Sequence, residues 1–485
     1  MSISGSLYNA LSGLSAASRA AELVSSNVAN AMTEGYGTRS LELSSRTIGL
    51  SGYGVAVDGV VRNVDEGLIE DRRLAQADVG YGDTTSKFFA NLEQVLGTPD
   101  QPGSLSGRLA AFEGALIEAS AHPDSEARLS NVLNAAEGLV ANLKTSSDAI
   151  QQARMDADRD IAGQVDMLNT GLKTIENINT AIQESLARGK DPSALMDLRQ
   201  QNIDKLSSII PLRQVPRDNG KVALFTPGGA IVLDGRAATF GFSQTSFIVP
   251  EMSVDPGVLS GLTINGNAIA TSGIRSPISG GSLAALFDIR DDSAVTAQMQ
   301  LDAVARDLVE RFQDPTLDSS RSSGAAGLFT DNGAAFAAAD EVALSSRLRI
   351  NAAVDPTQGG ATWRLRDGLG AATPGDVGNG SLLADMTSAL TDKRAPASGG
   401  FSGAARSASG LAGEYLSLVG AGRRNSEAEL GFSAAKHQTL KLMELETGVD
   451  TDAEMQKLLL IEQAYAANAK VMTTADEMLQ ILMNL

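Results

Sequence analysis

Apolar residues recur at heptad spacing near both ends of the chain. One pair of rows lies in residues 7–31: Leu7, Leu14, Ala21 and Val28, with Ala10, Ala17, Val24 and Ala31 three positions after each. A second pair lies in residues 458–482: Leu458, Tyr465, Met472 and Leu479, with Ile461, Asn468, Ala475 and Leu482. Each pattern is the a/d seam of a helix that packs along another helix. The two seams predict either that the terminal helices pair with each other or that each packs on its own neighbour in a bundle.

The composition of each seam adds detail to that prediction. Half of the first seam is Ala, so its partner must approach closely, and a helix of this kind is marginal in water when isolated. Asn468 is the clearly polar member of the second seam, and one polar seam residue can set the register of a helix pair. Thr451 and Glu454 have the spacing of a capping box that opens the C-terminal helix.

The interior of the chain predicts long helices. A continuous helical pattern over 125–188 would form a rod of about 90 Å at 1.5 Å per residue. Shorter helices are predicted over 197–210, ended by Pro211, and over 282–312. Another is predicted over 407–447.

Strand patterns interrupt these helices. Alternating apolar residues predict strands within 38–62, and short apolar runs separated by turn dipeptides such as Asp234-Gly235 and Asn265-Gly266 predict hairpins in 217–281. Residues 314–405 are rich in Gly, Ser and Ala, and predict an irregular insertion or small subdomain with strands near 347–350 and 363–365.

These elements predict a mainly α protein with β insertions, an elongated multidomain hairpin that brings its two ends together. The predicted divisions are a terminal helical domain (1–50 and 440–485), a long-helix body (51–216, 282–313 and 406–439), a β-rich outer domain (217–281) and the irregular insertion (314–405).

Composition excludes several functional classes. The net charge of −19 argues against a nucleic-acid surface and against binding to anionic membranes. The chain has no Cys, which excludes disulfides, thiolate metal sites and a Cys nucleophile. It has no apolar stretch of transmembrane length, and residues 1–30 lack the pattern of a cleaved signal peptide. We therefore expect cytoplasmic residence, or export without a cleaved signal, and no membrane insertion.

Candidate catalytic groups are few. The two histidines are His122, in a predicted turn, and His437, on a predicted helix. Residues 280–284 approximate a nucleophile elbow but are better explained as a Gly-Gly turn with Ser282 as helix N-cap. No phosphate-binding loop, zinc motif or Ca²⁺ loop is present in the sequence. We predict no catalytic residues, no cofactor and no metal site, although a pair of distant carboxylates of the glycosidase type stays possible from sequence.

Several motifs resemble those of a known family. Residues 10–14 (ALSGL), 26–30 (SNVAN) and 33–36 (TEGY) resemble the N-terminal signature of the bacterial flagellar axial proteins, which include rod, hook and hook-associated proteins. Residues 462–471 (EQAYAANAKV) and 474–479 (TADEML) are similar to the other end of those proteins. Residues 197–207 and 280–291 resemble helices that flank the β insertion of hook-associated members. One departure is Gly37, which separates Tyr36 from Thr38-Arg39, where the family usually has Tyr-Thr-Arg.

The resemblance implies a function. It implies a non-enzymatic subunit of the bacterial flagellum, in the layer between hook and filament, outside the cell. The implied partners are further copies of the chain in a helical tube, the hook protein, a second junction protein, a flagellar export chaperone at the C-terminal helix and the type III export apparatus. The implied assembly interface is Leu7, Ala10, Leu11, Leu14, Ala17, Ala21, Val24, Asn27, Val28, Asn30, Leu458, Ile461, Tyr465, Asn468, Met472, Ala475, Leu479 and Leu482, with a turn motif of Gly35, Tyr36 and Arg39.

Three alternatives stay open at the level of sequence. Another axial protein such as the hook protein would show more β structure between 80 and 210. A secreted wall-degrading enzyme with axial-type ends would lyse peptidoglycan. A cytoplasmic coiled-coil scaffold would keep its terminal helices folded in the monomer. An assembly protein is instead expected to order its terminal helices only on assembly.

Overall fold

The structure is a computed structural model that describes residues 3–48, 51–254, 257–273 and 276–483. Its helices are α1 Ile3–Ala29, α2 Glu66–Leu96, α3 Leu105–Ala121, α4 Glu126–Ala187, α5 Ser193–Ser207, α6 Gly281–Asp288, α7 Ala294–Gln313, α8 Leu344–Arg347, α9 Arg364–Asp367, α10 Ser381–Thr391, α11 Ala408–Glu446 and α12 Thr451–Met483. Its strands are β1 Thr38–Ile48, β2 Ser51–Asn63, β3 Arg213–Pro216, β4 Val222–Phe225, β5 Ile231–Asp234, β6 Arg236–Ala237, β7 Phe240–Gly241, β8 Leu262–Ile264, β9 Asn267–Ile269, β10 Phe329–Asp331 and β11 Leu348–Ile350. The predicted class, mainly α with β insertions, is confirmed.

Helix α4 is the axis of the body. It has 62 residues, or about 93 Å at 1.5 Å per residue, as the sequence predicts. One face is buried along most of its length, from Leu129 to Ile182, because the apolar seam contacts α3, α5, α7 and the sheets in turn. Helices α2 and α11 pack against each other beside it. Ser407 caps α11, its hydroxyl accepting the Gly410 N–H at 3.1 Å, which confirms the predicted start of that helix.

The predicted β region forms two small antiparallel sheets, ordered β3-β4-β5-β6 and β7-β8-β9. The Asp234-Gly235 and Asn265-Gly266 turns link paired strands, as predicted. Both sheets lie against α4, where Asn179 Nδ2 donates to Val222 O at 2.9 Å and Asn169 Nδ2 donates to Phe240 O at 2.9 Å. Such short strands gain stability only by burying an apolar face, so the region rests on the body helix. Whether it faces outward in an assembly stays a prediction.

The segment 314–405 departs from expectation. The predicted strand near 348–350 is confirmed as β11, paired with β10. The predicted strand around Trp363 is wrong, because this stretch forms the helical turn α9, which buries Leu365 completely. The segment also contains α10, and its apolar side chains, including Phe329 and Leu383, join the same core as α4 and α7.

The predicted domain divisions stay predictions, but one falls within a β-hairpin and another within a long helix. The boundary at 50/51 lies between β1 and β2, which pair from Thr38↔Asn63 to Ile48↔Ser51. The boundary at 439/440 lies within α11, which is continuous to Glu446. Both elements therefore link the terminal helices to the body.

Candidate functional site: the terminal helix pair and its joint to the body

Helices α1 and α12 pack against each other as an antiparallel pair. Gly13 lies against the side chain of Asn468, so closely that a Cβ there would be 2.6 Å from Asn468 Nδ2. Fourteen residues later on α1, Asn27 Nδ2 donates to Oε2 of Glu454, which lies fourteen residues earlier on α12, at 3.1 Å. The opposite order of these contacts fixes the direction of the pair. The termini therefore pair with each other, the first of the two predicted alternatives.

The predicted interface residues divide by exposure. Those in the seam between the two helices are buried: Ala10, Ala17, Val24, Asn27 and Ala475. Partly buried members are Leu7, Leu14, Ala21, Asn30, Leu458, Ile461 and Asn468. The exposed members are Leu11, Val28, Tyr465, Met472, Leu479 and Leu482. The pairing within one chain thus uses the small residues and leaves many larger apolar side chains uncovered.

The predicted capping box at the start of α12 is wrong. Asp450 caps the helix, since its Oδ1 accepts the N–H groups of Asp452 and Ala453 at 2.9 and 3.0 Å. Glu454 is instead 2% exposed and is used between helices, with Lys457 Nζ 2.6 Å from its other oxygen. A buried carboxylate with a polar partner on α1 explains its position better than a cap does.

Asn27 lies at the joint where the terminal helix pair meets the turn after α1 and the first strand. Its side-chain oxygen accepts from the Tyr36 hydroxyl at 2.8 Å and from the Arg39 N–H at 3.0 Å. Its Nδ2 donates to Arg39 O at 2.8 Å as well as to Glu454. Asn27 is fully buried. Its amide therefore joins α1 to the turn that follows it, to the first strand and to α12.

Asp197 on α5 holds that turn to the body. Its carboxylate accepts from Arg39 Nη2 at 2.8 Å and from Arg62 Nε at 2.7 Å, and also from the Gly37 N–H at 3.0 Å. A Cβ on Gly37 would lie 2.6 Å from the Arg62 side chain. The extra glycine in the turn motif thus lets the backbone approach Asp197 while Arg39 still reaches the same carboxylate.

A second set of ion pairs lies beside the first. Asp204, one heptad after Asp197 on α5, accepts from Arg72 Nη2 at 2.7 Å and Arg73 Nε at 2.6 Å, and Arg72 also pairs with Glu444 of α11. Burial acts to lower the pKa of Arg72, but Asp204 and Glu444 outweigh it and the pKa is raised. Sequence reasoning missed these groups, although the spacing of the two aspartates already placed them on one helix face.

The β1–β2 hairpin rests on α1. Ser12 Oγ accepts the Val55 N–H at 3.1 Å, and Tyr8 and Tyr53 stack edge-to-face with centroids 6.1 Å apart. Gly54 has φ of +84° at this contact, and a Cβ there would lie 2.1 Å from Ser12 Oγ. The close approach of strand and helix therefore requires glycine.

Replacing Gly54 tests this contact. We expect Gly54→Ala to detach the hairpin from α1 at a cost of about 2 kcal/mol, because strain at a positive φ adds to the clash. Hydrogen exchange of the amides in β1 and β2 should accelerate about thirty-fold. Gly59→Ala in the same strand is the control, since nothing lies within 4 Å of its Cβ position. Equal exchange in both variants would contradict the close approach.

The groups considered for catalysis are dispersed. Ser282 is not the helix N-cap, which is Gly280, and its hydroxyl lies 3.1 Å from Gln164 Oε1. His122 lies in the turn between α3 and α4. The pKa of His437 is lowered by burial and by the nearby Arg72 and Lys441 cations. In the described ranges, no three His, Cys, Asp or Glu side chains are grouped as metal ligands, and no helix is long and apolar enough to cross a membrane.

Three family models match parts of the chain. Residues 89–327 match "Flagellar hook-associated protein FlgK helical domain", residues 7–36 match "Flagella basal body rod protein" and residues 446–485 match "Flagellar basal body rod FlgEFG protein C-terminal". The first match covers the end of α2, helices α3 to α7 and strands β3 to β9. The other two cover most of α1 with the turn after it, and α12.

Curated relatives with similar sequences are also flagellar hook-associated proteins. Flagellar hook-associated protein 1 of Bacillus subtilis is 25% identical over 99% of this chain and 97% of its own length. The protein of that name in Salmonella typhimurium is 28% identical over 49% of this chain and 44% of its own length, and that of Escherichia coli is 24% identical over 67% and 59%. A solved structure, the flagellar hook junction protein FlgK from Burkholderia pseudomallei, is 18% identical over 54% of this chain and 47% of that chain, with a TM-score of 0.45.

Proposed function

We propose that this chain forms the layer that joins the hook to the filament, because its helical body and most of its length are similar to flagellar hook-associated proteins. The observation that carries the proposal is the antiparallel α1–α12 pair, held to the body by Asn27 and Asp197, with apolar side chains left uncovered. In this proposal the terminal pairs of successive subunits pack into the wall of a helical tube. Contacts of this kind are heterologous, since a helical lattice repeats head to tail.

Four of the exposed apolar residues described on α12 form a row. Leu460, Val471, Met478 and Leu482 follow each other by 11, 7 and 4 positions, which places them on one helix face, and they are 65%, 46%, 48% and 58% exposed. We call this row the α12 flank. We propose that further copies of the chain cover the α12 flank.

The same proposal gives the chain further partners in the flagellum and in export. The layer would contact the hook protein on one side and a second junction protein on the other, outside the cell. The chain would leave the cell through the type III export apparatus without a cleaved signal, with an export chaperone covering α12 beforehand. Its role would be structural and not catalytic, in a family of structural flagellar proteins. The helices of residues 66–207 favour this role over that of a hook protein.

A strain that lacks this chain tests the function. We expect electron microscopy to show hooks without filaments, and flagellin to accumulate in the medium, because the filament would have no layer to start from. Absence of hooks would contradict the proposal and indicate a rod or hook component. Lysis of peptidoglycan by the purified chain would contradict the non-enzymatic role.

The same strain tests the α12 flank by complementation. We expect Leu460→Asp to restore about a tenth of the filaments or fewer, since burying an unpaired carboxylate against a neighbour costs several kcal/mol. The isolated variant should melt like wild type, because Leu460 is exposed within one chain. Thr473→Asp, which introduces a carboxylate at an exposed position on the opposite side of α12, should complement fully. Full complementation by both variants would show that copies do not cover this face.

A further inference from the structure

A pocket of about 280 Å³ lies between the start of α2, helix α5 and the β3–β4 hairpin. In a chain of net charge −19, its described walls carry five cationic side chains against two carboxylates, Glu66 and Glu70. The five cations are Arg62, Arg73, Arg199, Arg217 and Lys221. This local excess of positive charge runs against the charge of the whole molecule.

Three of the five cations are already neutralised by carboxylates. Arg62 pairs with Asp197, Arg73 with Asp204, and Arg217 with Asp234 at 3.0 Å. Arg199 differs, because it is only 7% exposed and forms no ion pair with any described residue. Buried arginines are almost always paired, so the unpaired one needs an explanation.

The hydrogen bonds of Arg199 leave one edge of its guanidinium available. Both of its bonds within the described chain come from Nη1, to Asn179 Oδ1 at 2.9 Å and to Gly220 O at 2.7 Å. Nε and Nη2 of this pocket-lining side chain are therefore left for a ligand. These two nitrogens form the edge that binds two oxygens of a carboxylate or phosphate side by side.

The electrostatics agree with this geometry. Burial, and after it the neighbouring Arg62 cation, lowers the pKa of Arg199 to about 10, with Arg73 acting in the same direction. A bound anion would relieve both the desolvation and the repulsion between these cations.

We propose that this pocket binds an oxyanion, a carboxylate or phosphate group, through the Nε and Nη2 edge of Arg199. The group can come from two sources, an acidic side chain of a neighbouring subunit or a free anion such as inorganic phosphate. The proposal does not depend on which flagellar layer the chain occupies.

Inorganic phosphate is the probe. We expect it to raise the melting temperature of the full chain above that in chloride of equal ionic strength, saturating on the order of millimolar as a wet, single-group site should. Equilibrium dialysis should find one phosphate per chain. Arg199→Gln should lose both effects. Arg188→Gln should keep both, because Arg188 is an exposed cation at the end of α4, outside the pocket walls.

A second variant tests the same pocket in case Arg199→Gln does not fold. Lys221 lines the pocket and makes no side-chain hydrogen bond or ion pair with described residues, so Lys221→Glu should fold and should lose phosphate binding by placing a carboxylate there. The proposal is overturned if phosphate binding does not saturate in wild type, or if Arg199→Gln and Arg188→Gln respond to phosphate equally.

Sedimentation distinguishes the two sources once phosphate binding is found. If a neighbouring subunit supplies the carboxylate, saturating phosphate should weaken self-association of wild type and not of Lys221→Glu. If the ligand is a free anion, phosphate should leave self-association unchanged or strengthen it in wild type. Both results support oxyanion binding in this pocket, and each identifies the source of the oxyanion.

Discussion

Replacing Asn27 by Ala is expected to open the joint between α1, the following turn and α12. The change removes four hydrogen bonds from a fully buried amide and leaves the carboxylate of Glu454 without its partner on α1. We expect a cost of about 3 kcal/mol, since several buried polar groups lose a partner at once and Ala recovers only a few tenths through helix propensity. Hydrogen exchange near residues 27–40 and 450–458 should accelerate about a hundred-fold.

Asn30→Ala is the matched control. Asn30 lies one turn later on the same segment, and its Nδ2 donates only to Ser26 O, at 2.9 Å, among the described residues. We expect less than about 1 kcal/mol for this change. In the complemented strain, Asn27→Ala should lose filaments, because the terminal pair would no longer be held to the body. Slow exchange in both variants would mean that the terminal pair does not depend on this amide.

Asp197→Asn is expected to release the turn and hairpin from the body. The side chains of Asp197, Arg39 and Arg62 are 11%, 14% and 12% exposed, so the change leaves two arginines charged and largely out of water. Removing one partner from such a site costs about 3 to 4 kcal/mol, because the remaining charges lose their compensation. Exchange of the amides at the start of β1 and the end of β2 should accelerate, and motility of the complemented strain should fall.

Asp83→Asn controls for the loss of one negative charge. Asp83 pairs with Lys87 at 2.6 Å on the surface of α2, with side chains 45% and 72% exposed. Exposed pairs of this kind contribute less than about 1 kcal/mol, so its exchange and motility should match wild type. If Asp197→Asn also matches wild type, Asp197 does not hold the terminal pair to the body.

Much of the fold follows from local patterns in the sequence. The seam of α4 predicts its length to within about two residues at each end, because helical periodicity over so many turns cannot be mistaken for another period. Ser407 and the Asn265-Gly266 turn are equally local, since a cap or a tight turn depends on the few residues that form it. The misjudged stretch at Trp363 is short, and three alternating residues suit a strand and a helical turn alike.

The candidate site was only partly predictable. The heptad rows of α1 and α12 showed that both helices need a partner, and the small residues of α1 predicted a close approach. The direction of the pair, the use of Glu454 between helices and the two arginines on Asp197 were decided by tertiary structure. Asn27 and Glu454 are 427 residues apart, and Arg39 and Asp197 are 158 apart. Periodicity gives the face that a helix buries, but the partner of a polar group depends on which distant groups the fold places within hydrogen-bond distance.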